Sequence, residues 1–486
     1  MKKNITLSSI LCLVGLMFTA CQKDFLNTSP TETLPDAPPQ TRLNGLYLMM
    51  VKPGTGGTTN HDDYGQKSYD IYMDMLSGDM AMIQPKYGWY QDVANLEACS
   101  DYTYIINYKP WRYYYRMIYE ANKSIAQLSS PRTDEEKYIL AQERAMRAYA
   151  YFYLMQLFTT KYEPNSNTNS IPLYTEADVA AKGKAKQSEI YTLMVQDLEF
   201  SVANLEGFTR TNKGMIDKYV AKGLLAYVYG AMGENQKVAD LALDIVNNSG
   251  YPLTSREQTV YDSTTKKGGG FNDVATTSWL WGFDIIAENG ISLRSWWGHM
   301  DLFTYSYMSV GSIKGIDDGL LAQMRTNDIR KNQFDTKYRP TGKFFAPDRR
   351  VQGQRDIVTD CVFMRVDEFY LLAAEALTKL NRDSEAKTIY KKLLTLRYPE
   401  ATVATDIAYI DALTNSQLLD DIYLNTRIEL WGEGKSYLSL KRNHRSVTRG
   451  TNHNAKAGKT FTYDDPNITL KIPQNEMNNN YPLANP

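Results

Sequence analysis

Apolar residues recur every three or four positions over much of this chain, and that spacing predicts helices. Trp111, Tyr114, Ile118, Ala121, Ile125 and Leu128 form one such series, a stripe that a single helix face buries. "TDEE" at Thr133 to Glu136 predicts a helix start, with Thr133 capping the first turn and Glu136 reaching back to it. The run it opens, "EEKYILAQERAMRAYAYFYLMQLF", mixes alanine with large aromatics, as closely packed helices do. "NSNTNS" predicts a loop, and "SEIYTLMVQDLEFSVANL" a further helix begun by Ser188.

Two later segments read as one unit used twice. "LLAYVYGAMGENQKVADLALDIV" starts at Leu224 and "LLAAEALTKLNRDSEAKTIYKKLL" at Leu371. Each has a small-residue helix, a polar turn and a second amphipathic helix. Ala226 and Ala239 lie 13 apart in the first, as do Ala373 and Ala386 in the second. Small residues at that spacing let paired helices approach closely, in the manner of tetratricopeptide repeats. Residues 251–360 lose the helical period. They hold "KKGGG", a short predicted strand over 278–286, and "ENGISLRSWWGHMDLFTYSY" from Glu288 to Tyr307. Long loops in a compact chain are functional or disordered, and this aromatic content excludes disorder. The expected fold is mostly α: a tetratricopeptide-like helix-pair scaffold carrying long, aromatic-rich loop insertions.

Composition sharpens this. The chain has 486 residues, 43% of them hydrophobic, enough for a large core. With 54 basic and 55 acidic residues, no global field draws it to nucleic acid. Tyrosine outnumbers phenylalanine 36 to 15. A tyrosine has a flat apolar face and a polar end, so the excess leans toward binding surfaces, although tyrosines buried in helical repeats would also produce it.

The first twenty residues predict an export signal: Lys2 and Lys3, then "ITLSSILCLVGLMF", then small residues before Cys21. That ending resembles the lipobox of bacterial lipoproteins, in which the cysteine is acylated, with Phe18 where leucine is usual. Residues 21–40 predict an extended tether, and Lys23 and Asp24 resemble a surface-export signal. The expected organisation is a signal over 1–20, the tether, and one domain over 41–486. Its helical scaffold spans about 41–250 and 361–445, and its loop-rich, ligand-binding insertion about 251–360. Cys99 and Cys361 remain, with their pairing open.

Catalytic motifs are missing. The chain has no G-x-S-x-G, H-E-x-x-H, P-loop, G-x-G-x-x-G or C-x-x-C. Its four histidines, His61, His299, His444 and His453, lack metal-ligand spacing. "NHDDY" around His61 reads as a solvated loop. No catalytic residue, metal or cofactor is expected.

The aromatic clusters point to a ligand instead. "KYGWYQD" presents Tyr87, Trp89 and Tyr90 around Gly88, and the later loop presents Trp296 and Trp297. A pyranose carries C–H bonds on its face, which flat rings cover, and hydroxyls at its rim, which polar groups satisfy. Arg294, His299 and Asp301, beside the double tryptophan, supply such groups. The expected platform is Trp296 and Trp297 together with Trp89.

The C-terminal third carries a family resemblance. "MRVDEFYLLAAEALTKLN" resembles the R-x-x-E-x-Y-L-x-x-A-E-A helix of the SusD/RagB family, through Arg365, Glu368, Tyr370, Leu371, Ala374, Glu375 and Ala376. "RIELWGEGKSYLSLKR" is similar to its E-x-x-x-E-G-x-R-x-x-D-x-K-R segment, with Glu429, Glu433, Gly434, Lys441 and Arg442 matching. Lys435 and Ser439 depart from it. The ending "KIPQNEMNNNYPLANP", the start "CQKDFLNTSPTE" and the early helices fit as well. The resemblance implies a lipid-anchored outer-membrane protein that binds oligosaccharides or polysaccharides at the cell surface. It implies a SusC-like, TonB-dependent barrel transporter as partner. Alternatives are a peptide-binding lid of such an importer and a surface glycosidase. The family's binding loops vary, so none of the eight site residues comes from the resemblance.

Overall fold

The computed structural model describes residues 37–161, 163–165 and 167–485. The expected signal, Cys21 and nearly all of the tether lie outside the described residues. Helix α1 (Pro39–Met49) and helix α2 (Gln66–Leu76) lead into strand β1 (Met80–Gln84). Helices α3 (Ile105–Gln127), α4 (Asp134–Phe158), α5 (Gln187–Asn204), α6 (Lys218–Met232) and α7 (Asn235–Asn248) then follow, each packed on the next. The stripe from Trp111 is the buried side of α3, with only Ile125 half-exposed. At α4, Thr133 Oγ1 accepts the Glu136 amide at 3.1 Å. Glu136 reaches one residue beyond the cap, accepting from the Arg132 amide at 2.6 Å. Helix α5 begins one residue before the expected Ser188.

The insertion holds strand β2 (Trp279–Phe283), a short helix α8 (Trp296–Met300) and strand β3 (Ile313–Ile316). Strand β4 (Cys361–Arg365) returns the chain to helices α9 (Asp367–Lys379) and α10 (Asp383–Thr395), then α11 (Asn415–Glu429) and α12 (Ser436–Arg442). The predicted strand is β2, which pairs antiparallel with β4. The repeated unit appears as the pairs α6–α7 and α9–α10, and α7 packs directly on α9. Ala226, Ala239, Ala373 and Ala386 are all fully buried, as close helix approach demands.

The charged motif residues are packing groups. Arg365 donates to Glu429 at 2.8 Å and to Glu433 at 2.9 Å. Arg397 and Arg330 reach the other side of Glu429 at 2.8 and 3.0 Å, and Lys343 reaches Glu433 at 2.8 Å. Burial alone raises both carboxyls, but Arg397 and Arg365 outweigh it and hold Glu429 well below the usual range. Arg365 and Lys343 likewise hold Glu433 at about 2. Arg442 grips Glu375 with two bonds, at 2.7 and 2.9 Å. Lys435, at the departing position, still lies 3.7 Å from Glu368. Ser439 sits beside Asn443, at 3.3 Å.

Cys99 and Cys361 are free, buried thiols. Among the described residues, no helix is long and apolar enough to cross a membrane.

Candidate functional site

Two loops meet because two strands pair. β1 and β3 run antiparallel, with Met80 opposite Ile316 and Gln84 opposite Ile313. The chain leaving β1 and the chain entering β3 therefore emerge at the same end of the ladder. Tyr87 to Tyr90 stand just beyond Gln84, and Tyr307 stands six residues before Ile313. The turn after β1 is conformationally costly. Tyr87, Gly88 and Tyr90 have φ of 69°, 78° and 67°, so two tyrosines occupy the left-handed region, where a non-glycine residue costs on the order of 1 kcal/mol. Such strain collects at functional sites, and here it turns the Tyr87 and Trp89 rings outward.

The result is an aromatic cluster open to solvent. Tyr87 is 57% exposed, and Trp89 and His61 are half-buried. The His61 imidazole stacks on the Trp89 indole at 5.2 Å between centroids and 7° between planes. Tyr307 lies edge-on beneath, 5.4 Å from Tyr87 and 6.3 Å from Trp89. Its hydroxyl is 2.6 Å from His61 Nδ1. Tyr305, 38% exposed, extends the patch, with the Arg355 guanidinium 4.4 Å from its ring centre.

Of the eight expected residues, Tyr87 and Trp89 lie on this surface and Arg294 lies beside it. Tyr90 and His299 form its floor. The Tyr90 edge meets the His299 ring at 5.0 Å, and His299 stacks under Tyr307 at 4.8 Å. His299 Nε2 donates to the His61 carbonyl at 2.8 Å, so it supports the surface without reaching it.

The double tryptophan is corrected outright. Trp296 and Trp297 are 3% and 1% exposed, which leaves no ring face for a sugar. Neighbours on a helix diverge by about 100°, yet α8 is enclosed so completely that both rings find apolar partners. Trp296 meets Phe344 at 4.5 Å, and the two indoles meet edge-to-face at 5.0 Å. Asp301 is corrected too. It is fully buried and accepts from the Phe303 amide, the Thr304 hydroxyl and the Ala346 amide at 2.9, 2.6 and 2.9 Å. Burial pushes its carboxyl up to about 6, and its role is to fold the loop.

Sequence reasoning missed His61 and Tyr307. "NHDDY" is structured, not a solvated loop. Asp62 pairs with Lys109 at 2.5 Å. Asp63 accepts from the Gly56 amide, the Thr58 amide and the Thr58 hydroxyl at 2.7, 2.8 and 2.8 Å. Burial and the nearby Arg294 charge lower the His61 imidazole below its ordinary range, so the ring is neutral at neutral pH. Among the described residues, no group of three His, Cys, Asp or Glu side chains is placed to hold a metal. An open cleft of about 1160 Å³, walled by Arg256, Tyr261, Phe334 and Arg349, contains none of the expected residues.

Comparison with known proteins places the chain in a family. Residues 24–229 match a family described as "Starch-binding associating with outer membrane", and residues 247–484 match the SusD family. A SusD-like protein of Bacteroides ovatus is 24% identical over 273 residues, 52% of this chain and 46% of that protein. SusD-like protein P2 of Formosa agariphila is 28% identical over 218 residues, 43% and 39% of the two chains. The matched stretch thus spans less than half the length of either relative. A SusD-like carbohydrate binding protein from Bacteroides vulgatus superposes with a TM-score of 0.73 at 22% identity, over 92% of this chain and 96% of that one. Surface glycan-binding protein A from Bacteroides thetaiotaomicron, solved with laminarihexaose, gives 0.64 at 15% identity, over 90% and 97%. Likeness at these identities establishes a shared fold. The two family matches together take in nearly all of residues 24–484, and the chain belongs to the SusD/RagB family.

Proposed function

We propose that this protein is a cell-surface glycan-binding lipoprotein, anchored through Cys21 to the outer membrane. It captures oligosaccharides without cleaving them and delivers them to a SusC-like, TonB-dependent transporter. The observation that carries this reading is the solvent-facing cluster of Tyr87, Trp89 and His61 over Tyr307. Flat rings at the surface suit the C–H face of a sugar, and a ligand laid across them needs no deep cavity. The names of two structural neighbours, a carbohydrate binding protein and a glycan-binding protein solved with a hexasaccharide, support it. Stacking on so small a patch is weak, roughly micromolar to millimolar, and several contacts along one polymer compensate.

Calorimetric titration of the protein with plant, host and microbial oligosaccharides tests the reading, with Tyr87→Ala and Trp89→Ala alongside. Heat that vanishes in the folded variants supports it. Binding of peptides in place of sugars, or release of shorter sugars on incubation, rejects it.

A further inference from the structure

Buried arginines in this fold are mostly matched by carboxylates. Arg365, Arg397 and Arg330 surround Glu429, Arg427 grips Asp79 at 2.5 Å, and Arg147 grips Asp197 at 2.7 Å. Around the aromatic cluster that rule fails. Arg294 is half-buried; its Nε is buried with no hydrogen-bond partner, and its Nη2 makes a single 3.4 Å contact with the Thr58 carbonyl. Arg112 packs against Gly57 with its Nη1 buried and unpartnered. Lys86 stands 5.5 Å above the Tyr87 ring, and Arg355 lies over Tyr305. Among the described residues, none of these four forms an ion pair.

Three of the four nearby acids are already engaged. Asp62 is taken by Lys109, Asp63 by the glycine-rich loop, and Asp301 by its own three donors. Asp92, half-buried at the end of the Tyr87 turn, makes no side-chain hydrogen bond or ion pair among the described residues, and burial raises its carboxyl above the usual range. The whole chain balances 54 basic against 55 acidic residues, so composition does not explain a local excess of cations. A partly buried guanidinium with free donors is costly unless an anion meets it, and its fork suits a carboxylate or sulfate oxygen pair.

We propose that the cluster recognises an anionic glycan, the Tyr87 and Trp89 rings carrying the sugar face and Arg294 pairing its carboxylate or sulfate ester. This rests on the glycan-binding reading and narrows its ligand class. Lys86 and Arg355, each already over a ring, flank the same surface and extend the positive field along a polymer.

The test titrates the purified full chain with four probes: hexagalacturonate, its methyl ester, a κ-carrageenan hexasaccharide and laminarihexaose. The expected result is binding of at least one charged probe over the two neutral ones, weakening as salt is raised. The acid alone identifies a carboxylate ligand, and the carrageenan fragment alone a sulfate. Arg294→Gln should weaken the charged probe about tenfold or more, with Arg294→Lys recovering part of it and circular dichroism unchanged. Lys86→Gln, on an exposed side chain, gives an independent loss if Arg294→Gln does not fold. Equal binding of the acid and its methyl ester, or a preference for laminarihexaose, overturns the anionic assignment and leaves glycan capture standing. Failure of all four probes removes both.

Discussion

The imidazole of His61 lies parallel to the indole of Trp89, while its Nδ1 sits 2.6 Å from the Tyr307 hydroxyl. One side chain thus touches two loops, and its hydrogen bond spans 246 residues of sequence. The stack pins Trp89 before any ligand arrives, which lowers the ordering cost of binding. It also separates residues that face a ligand from residues that hold the fold.

Trp89→Ala and Trp297→Ala should therefore behave oppositely. Trp89 is half-buried at the surface, so its loss should remove sugar binding at a smaller cost in stability. Trp297 is enclosed, and its loss should cost about 3–5 kcal/mol of stability. Thermal unfolding and calorimetric titration of both variants check this. Equal loss of binding with equal loss of stability would place Trp89 in the core instead.

Lys314, on β3, is buried over the Tyr90 ring with no hydrogen-bond partner for its ammonium. Burial lowers it to about 7. The unfolded chain holds this proton more tightly than the folded one, so stability rises with pH between about 7 and the ordinary lysine value of 10.5. Lys314→Met should flatten that rise and raise the unfolding midpoint at pH 7. Denaturant melts at pH 7 and pH 9 give the answer.

Glu143, on α4, shows the opposite sign. It is fully buried, with the Ser124 hydroxyl beside it, and burial pushes its carboxyl well above the usual range. The folded chain keeps the proton that the unfolded chain gives up. Stability from this group is therefore intact below the ordinary value of 4.5 and is lost as pH climbs from there through the raised folded value. Glu143→Gln should be more stable than the natural protein at pH 8 and gain nothing at pH 4.

Glu433 behaves as a paired acid. Held at about 2, it contributes stability above its ordinary value of 4.5 that disappears as pH falls toward 2. Glu429→Gln should cost about 3–5 kcal/mol, because it leaves buried guanidiniums short of charge. An acid-unfolding series on the natural protein and on Glu429→Gln measures the two effects.

The cysteines offer a simple chemical check. Burial pushes the Cys99 and Cys361 thiols up to about 12. Both should resist a maleimide in the folded protein and react once it is unfolded. Rapid labelling of the folded chain would contradict their placement.

The scaffold was legible because helical packing is periodic. The stripe from Trp111 and the alanines 226, 239, 373 and 386 announced which faces would be buried, and the structure buries them. Half of the site was legible as well. Gly88 between aromatics signalled a turn, and Tyr87 and Trp89 stand on its outer side. Tyr307 and His61 were not, since they meet across 246 residues of sequence, a contact with no local signature. The double tryptophan misled for a related reason. Adjacent rings rarely suit one core, and nothing near Trp296 in sequence reveals that Phe344 will close over it.

The β1–β3 ladder has a consequence for how recognition changes. Its spacing is set by main-chain hydrogen bonds, which are indifferent to side-chain identity. The peptides beyond Gln84 and before Ile313 can therefore exchange residues, or lengthen in step, while the helices behind them stay where they are. Two short segments at one end of one strand pair can thus change together around the fixed positions of His61 and Arg294, and a graft on one side alone would leave its partner facing the wrong contour.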